Sequence, residues 1–157
     1  MGDWSVKNKM QDKDKKGIAS NGQPLHFSVG AVIKKDDKYL MIDRVNPPFG
    51  FAGLAGHVDE GELPENTIVR EVEEESGLKV LKSTLLFEEE ILWNYCIKVP
   101  THRWYLYECE VGGEVRQNTE ETKSIGWYTK EELENLELES VWRYWFEKMG
   151  VISKGKK

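Results

Sequence analysis

The sequence predicts a mixed α/β domain, with a mixed β-sheet flanked by helices. Three observations carry that expectation. Short apolar, β-branched runs lie before, between and after two helical segments. Both helical segments carry their own start and stop residues. The chain has 157 residues, 39% of them apolar and 32% charged, which is enough to bury a core without disulfide or metal staples.

The elements follow in order. Residues 1–24 form a polar lead-in, loose or hairpin-forming, with five lysines and three aspartates before Gly17. Residues 25–150 are read as a single domain and 151–157 as a basic tail. Phe27–Ile33 is a buried strand, Lys35-Asp36-Asp37-Lys38 a polar turn and Tyr39–Asp43 the returning strand, so residues 26–43 read as a β-hairpin. Asn46-Pro47-Pro48 breaks the chain. Phe49–Gly56 mixes large apolar residues with small ones, a composition expected where backbone approaches another group closely. Pro64 suits a first helical position and Gly77 a left-handed C-terminal cap, which predicts a helix over 65–76. Leu78–Trp93 and His102–Val111 are strand-rich and are separated by a loop near Pro100; Gly112-Gly113 is a turn and Ile125–Tyr128 a short strand. Thr129 and Glu132 match a capping box that opens a second helical region over 130–149, interrupted near Leu138–Ser140. In that region Trp142, Tyr144, Trp145 and Phe146 are expected to dock the helix on the sheet, with a homodimer surface as the second reading.

Composition excludes several classes. No apolar run approaches the roughly 18 residues that span a bilayer, and the charged N-terminus has no apolar core of a secretory signal. Cys96 and Cys109 fit no ligand spacing and read as reduced, half-buried strand residues, so a cytoplasmic setting is the default. The formal net charge is −6, the wrong sign for a general nucleic-acid binder. That charge is concentrated: residues 59–75 hold eight acids and one base, Arg70, while the rest of the chain is nearly neutral. Such a segment can take an anionic ligand only through a cation.

On a helix of about 3.6 residues per turn, Glu71, Glu74 and Glu75 fall within an arc of roughly 100°. Ile68, Val69 and Val72 make the adjoining apolar stripe. Carboxylates at this spacing repel one another. A hard divalent cation over that edge removes the conflict, because Mg2+ takes oxygen ligands and leaves positions for water and phosphate. Glu88-Glu89-Glu90, by contrast, reads as a solvated surface run.

The stretch 56–78, GHVDEGELPENTIVREVEEESGL, resembles the Nudix box, G-x5-E-x7-R-E-U-x-E-E-x-G-U, with U a bulky aliphatic. Gly56, Glu62, Arg70, Glu71, Val72, Glu74, Glu75, Gly77 and Leu78 all match without a gap. The order of flanking strands is also similar to the α/β/α sandwich of the Nudix (MutT-like) hydrolases. The resemblance implies cleavage of a nucleoside diphosphate linked to another moiety, such as a nucleoside triphosphate, nucleotide sugar or dinucleoside polyphosphate, with Mg2+ or Mn2+. It implies Glu74 and Glu75 as metal ligands and Glu71 as ligand or base. Glu62 would support the metal or its waters, the Ala55 carbonyl would be a further ligand, and Arg70 would orient the carboxylates. A downstream acid is expected in such sites; Glu121 is preferred over Glu120. The chemistry matches the physics, since metal neutralises the repelling phosphate oxygens and acidifies bound water while a carboxylate takes its proton.

The family's Trp-x-x-Pro-Gly-Gly lead is here Phe51-Ala52-Gly53-Leu54-Ala55-Gly56, with Phe51 replacing Trp as a pocket wall. Among subfamily markers, Tyr95 sits where dinucleoside polyphosphate hydrolases tend to carry tyrosine, whereas the proline of ADP-ribose hydrolases has no counterpart at Leu92–Asn94. Phe49, Trp93, Trp104 and Tyr105 are further candidates to line a base pocket. His26, His57 and His102 match no zinc spacing and are not expected to ligate metal; His57, in the box loop, is a candidate phosphate contact. A rival reading is a nucleotide-binding or regulatory module without turnover, which the full set of box acids disfavours. Isomerisation of an isoprenoid diphosphate would need an additional acid/base pair that Cys96 and Cys109 do not convincingly supply.

Overall fold

The computed structural model describes residues 13–96 and 98–154. Residues 1–12 of the expected lead-in and 155–157 of the expected tail lie outside these. The long strand β2 (Pro24–Val32) is buried along nearly its whole length. Along one edge it pairs antiparallel, first with β1 (Lys16–Ile18) and then with β6 (Leu54–His57). Its other edge runs parallel to β8 (Thr101–Gly112), which in turn pairs antiparallel with β7 (Lys79–Ile91). A second, antiparallel sheet contains β3 (Lys34–Lys35), β4 (Lys38–Arg44), β5 (Phe51–Ala52) and β9 (Thr122–Thr129).

The hairpin expected over 26–43 is therefore wrong in its pairing. Both edges of β2 are taken, so β4 starts the second sheet and only β3 folds back on it. Asp36 and Asp37 carry φ of 52° and 62°, the twist that a two-residue hairpin turn needs. The strands form two sheets, and the α/β class with helices flanking mixed β-structure stands as expected.

Helix α1 (Pro64–Ser76) begins at Pro64 and ends at Gly77, whose φ of 79° is left-handed and whose N–H donates to the Glu73 carbonyl at 2.8 Å. It packs on β2, β6 and β7. Helix α2 (Lys130–Asn135) opens with the expected capping box: Thr129 Oγ1 accepts from the Glu132 N–H at 3.2 Å, and Glu132 accepts from the Thr129 N–H at 2.8 Å. Helix α3 (Ser140–Lys148) buries Trp142, Trp145 and Phe146 within the chain itself. Their rings meet Trp104, Phe87 and Tyr39, from both sheets. The docking role holds, and three of the four rings offered for a dimer surface are enclosed. A Cβ at Gly53 would stand 2.6 Å from the Trp142 ring, which explains the small residues of Phe49–Gly56. Among the described residues no helix is long and apolar enough to cross a membrane.

Candidate active site

The α1 acids do not sit at the border of the buried face; two of them turn into it. Glu75 is only 4% exposed while Val69, expected in the apolar stripe, is 40% exposed. The helix is thus rolled so that Ile68, Val72 and Glu75 face inward together. Strand β6 receives them. The Ala55 N–H donates to Glu75 Oε1 at 3.1 Å. In an extended strand the N–H and C=O of one residue point to the same side, so the Ala55 carbonyl also faces the carboxylates. Next to it, a Cβ on Gly56 would lie 2.1 Å from Glu71 Cδ. Only glycine leaves room there for the Glu71 carboxylate.

Arg70 organises the outer side. Its Nε donates to Glu62 Oε2 and its Nη2 to Glu62 Oε1, both at 2.9 Å. Its Nη1 donates to Glu71 Oε2 at 2.9 Å and to Glu74 Oε1 at 3.3 Å, and Nη2 also reaches the His57 carbonyl at 3.3 Å. The Asp59 N–H donates to Glu62 Oε1 at 3.1 Å, which closes the loop on the helix start. One guanidinium therefore spaces three carboxylates.

Charge and burial pull these acids apart. Hydrogen bonds from Arg70 hold Glu62 down at about 2, against some burial. Burial raises Glu71 to about 7, with Arg70 opposing and the Glu74 and Glu121 charges adding to the rise. Burial also raises Glu75 well above the carboxylate range, helped by Glu71. Two buried acids beside a third make a site short of positive charge, lined by hard oxygen donors. That donor set fits a divalent cation such as Mg2+.

Glu71, Glu74 and Glu75 line a cavity of about 640 Å³, together with Ala55, Gly56, His57, Arg70, Tyr95 and Glu121. Glu121 is held by Asn118, whose Nδ2 donates to its Oε2 at 3.0 Å. Two expected site residues stand apart from the lining. Glu62 is engaged through both oxygens by Arg70, so its link to the site runs through the guanidinium. Phe51 packs edge-on against Tyr128, with ring centroids 5.7 Å apart, and so is not a wall of this cavity. Of the other aromatic candidates, Trp104 lines the cavity and donates from Nε1 to Asn94 Oδ1 at 2.7 Å. Glu88, Glu89 and Glu90 do lie at the surface, bonded to Arg103, Lys148 and Ser20 respectively.

Sequence reasoning missed several lining residues. Arg44, at the end of β4, donates from Nε to the Pro48 carbonyl at 2.8 Å and brings a cation to the cavity. Its only signal was a cation just before the proline break. Glu139 is buried beside it and raised to about 7 by that burial, with Arg44 and His102 opposing. Nothing in the sequence marked Glu139. The larger omission is a cluster: His26, His57, Cys96 and His102 place their ligand atoms within 4.8 Å of one another. These histidines match no zinc spacing in the sequence, yet the fold brings all three together. They come from β2, β6, the loop before β8, and β8 itself, so linear spacing could not reveal them. Cys96 accordingly is a loop residue, whereas Cys109 is a buried residue of β8.

Known proteins resemble the chain in sequence and in fold. A stretch of 53 residues is 47% identical to an ADP-ribose pyrophosphatase of Methanocaldococcus jannaschii, covering 32% of this chain and 31% of that protein. Over 102 residues the chain is 31% identical to the NAD-capped RNA hydrolase NudC of an Enterobacter species, covering 64% of this chain and 38% of that protein. The chain thus spans less than half the length of these curated relatives. Among solved structures, the MutT NUDIX hydrolase from Burkholderia pseudomallei superposes with a TM-score of 0.70 at 25% identity, over 78% of this chain and 96% of that one. The NUDIX domain model matches residues 24–149. Because that match runs from the start of β2 to just past the end of α3, the chain belongs to the Nudix family.

Proposed function

We propose that the chain is a divalent-metal-dependent pyrophosphohydrolase that cleaves a nucleoside diphosphate linked to another moiety. The observation that carries this reading is the meeting of Glu71, Glu74 and Glu75 with the Ala55–Gly56 backbone on one cavity wall. Glu71, Glu74, Glu75 and the Ala55 carbonyl would hold Mg2+ or Mn2+. When bound, the cation supplies charge neutralisation at the phosphate oxygens and a more acidic water.

The chain's own groups do the rest. Arg70 keeps Glu71 and Glu74 in place and draws Glu62 against the helix start. Glu121, oriented by Asn118, accepts the proton of the attacking water at its carboxylate. As the water oxygen bonds to phosphorus, the bond to the bridging oxygen breaks and the leaving phosphate carries the electron pair away. Arg44, which lines the same cavity and whose charge opposes the rise of Glu75, supplies positive charge for the phosphates. His57 and Tyr95 flank the diphosphate, and Trp104 offers an indole edge to the substrate. One curated relative is named an ADP-ribose pyrophosphatase and another an NAD-capped RNA hydrolase, which supports a nucleotide substrate.

The test is a Mg2+ activity screen over nucleoside triphosphates, ADP-ribose and other nucleotide sugars, and dinucleoside polyphosphates, with products identified by mass. Release of a nucleoside monophosphate or of pyrophosphate is expected. Glu74→Gln and Glu75→Gln should each lower the rate at least about a hundredfold. Unchanged turnover in these variants, or tight nucleotide binding with no hydrolysis of any substrate, overturns the reading.

A further inference from the structure

A second set of candidate ligands stands in and just behind the same cavity and has a different chemistry. His26 and His102 are 2% and 3% exposed, and His57 and Cys96 are half-buried beside them. His57 Nδ1 lies 3.1 Å from Asp14 Oδ2. His102 Nδ1 lies 2.8 Å from the Asn94 carbonyl, an acceptor with no proton to give. Each Nδ1 therefore carries a proton. Against burial, the Asp14 hydrogen bond raises His57 to about 9, so its Nε2 can take a second proton; in the neutral rings each Nε2 is left with a lone pair. These two Nε2 atoms face each other at 3.3 Å. Neutral rings held this way have no hydrogen between them; they need either an extra proton or a shared cation. On the third side, His26 Nδ1 stands 3.9 Å from Cys96 Sγ.

Two of these spacings come near those of a tetrahedral ion, and the whole set, within 4.8 Å, would draw in around one. With Zn–N of 2.0–2.1 Å and Zn–S of about 2.3 Å, tetrahedral geometry puts two nitrogens roughly 3.3 Å apart and a nitrogen and sulfur roughly 3.6 Å apart. The partners on the far nitrogens, a carboxylate and a backbone carbonyl, are those that orient metal-ligating histidines. Three imidazoles and one thiolate prefer zinc to Mg2+, while the carboxylates of α1 prefer the reverse. The cavity thus holds two donor sets that need not compete for one metal.

We propose that His26, His57, Cys96 and His102 form a four-ligand zinc site, with Asp14 and the Asn94 carbonyl as its outer supports. Four protein ligands close the coordination sphere, so the ion is structural. It ties β2, β6 and β8 to the loop that carries Tyr95, and so fixes that part of the cavity wall. The competing arrangement is a metal-free cluster, with a Cys96 thiolate beside a proton shared by His57 and His102.

Cobalt substitution separates the two. The full chain, stripped with a chelator, is titrated with Co2+ in the presence of excess Mg2+. The expected result is uptake of one tetrahedral Co2+ per chain, with intense visible bands and a thiolate-to-cobalt charge-transfer band, both removed by one equivalent of Zn2+. The Glu74→Gln/Glu75→Gln double variant should keep both signals, which distinguishes this site from that of the proposed hydrolytic metal. Cys96→Ser should lose the charge-transfer band, and His102→Ala should weaken Co2+ at least about tenfold. Cys96 is half-buried in a loop, so its variant serves even where His102→Ala does not fold. A wild-type spectrum that is six-coordinate or lacks the charge-transfer band overturns the proposal, as does a band that survives in Cys96→Ser.

Discussion

Arg70 and Glu62 meet as a two-point clasp, Nε to Oε2 and Nη2 to Oε1, with both contacts at 2.9 Å. The pair joins the loop before α1 to the helix, eight residues apart in sequence. This geometry is available to arginine and not to lysine, whose single ammonium cannot present two parallel donors.

Removing the clasp should therefore cost stability in a pH-dependent way. Glu62 is held at about 2, below its ordinary 4.5, chiefly by Arg70. Such a group stabilises the fold above pH 4.5 and loses that contribution as pH falls toward 2. Arg70→Ala should cost on the order of 1–2 kcal/mol at neutral pH after solvent screening, and progressively less in acid. Urea unfolding of wild type and variant at neutral pH and at pH 3 checks this; a difference that grows in acid contradicts it.

Gly56→Ala tests the fit between β6 and α1. The new Cβ would stand 2.1 Å from Glu71 Cδ, and Arg70 restrains that carboxylate from swinging away. A loss of about 1–3 kcal/mol is expected from overpacking. The Mg2+-dependent rate should fall at least about tenfold, because the displaced carboxylate belongs to the proposed metal site. Circular dichroism should show the helix retained. Equal activity in this variant would mean that the Glu71 position is not critical.

Glu139→Gln should stabilise the protein on the alkaline side. Burial raises Glu139 to about 7, so the folded state holds a proton that the unfolded chain releases near 4.5. Between these values stability falls as pH rises, and above about 7 the penalty is complete. The glutamine variant lacks that penalty. Its melting temperature should exceed the wild type's at pH 8 by the equivalent of about 1–3 kcal/mol and match it near pH 4. A thermal melt series across this range gives the result directly.

Gly77→Ala probes the end of α1. The residue has φ of 79°, and a Cβ there would also come within 3.0 Å of the Arg116 side chain. The left-handed conformation costs an L-residue about 1–2 kcal/mol. Chemical denaturation should show a loss of at least that size, and a neutral outcome would mean that the C-cap relaxes without strain.

Local features were legible before any tertiary information. Pro64, Gly77, Thr129 and Glu132 set the helix ends, because caps are satisfied by residues within a few positions. The association of Glu71, Glu74 and Glu75 also followed from one helix turn. The partners of β2 did not. Strand exchange between two sheets depends on which edges are already occupied, a property of the whole assembly, and so the hairpin read over residues 26–43 pairs only at its tip, between β3 and β4, while β2 joins other partners. Phe51 is a related case: its ring meets Tyr128, a contact made far away in sequence.

By itself the sequence determined the capped helix, its acidic face and the metal chemistry that such a face invites, since all of these arise within the 23 contiguous residues from Gly56 to Leu78. Only the tertiary structure decided how α1 is rolled, because burial of Glu75 depends on the Ala55 N–H that meets it. Only the tertiary structure brought His26, His57, Cys96 and His102 together, because the parallel pairing of β2 with β8 puts His26 opposite His102 across 76 positions of chain. A sequence motif records ligands that share a segment; ligands delivered by neighbouring strands become a set only when the sheet has formed.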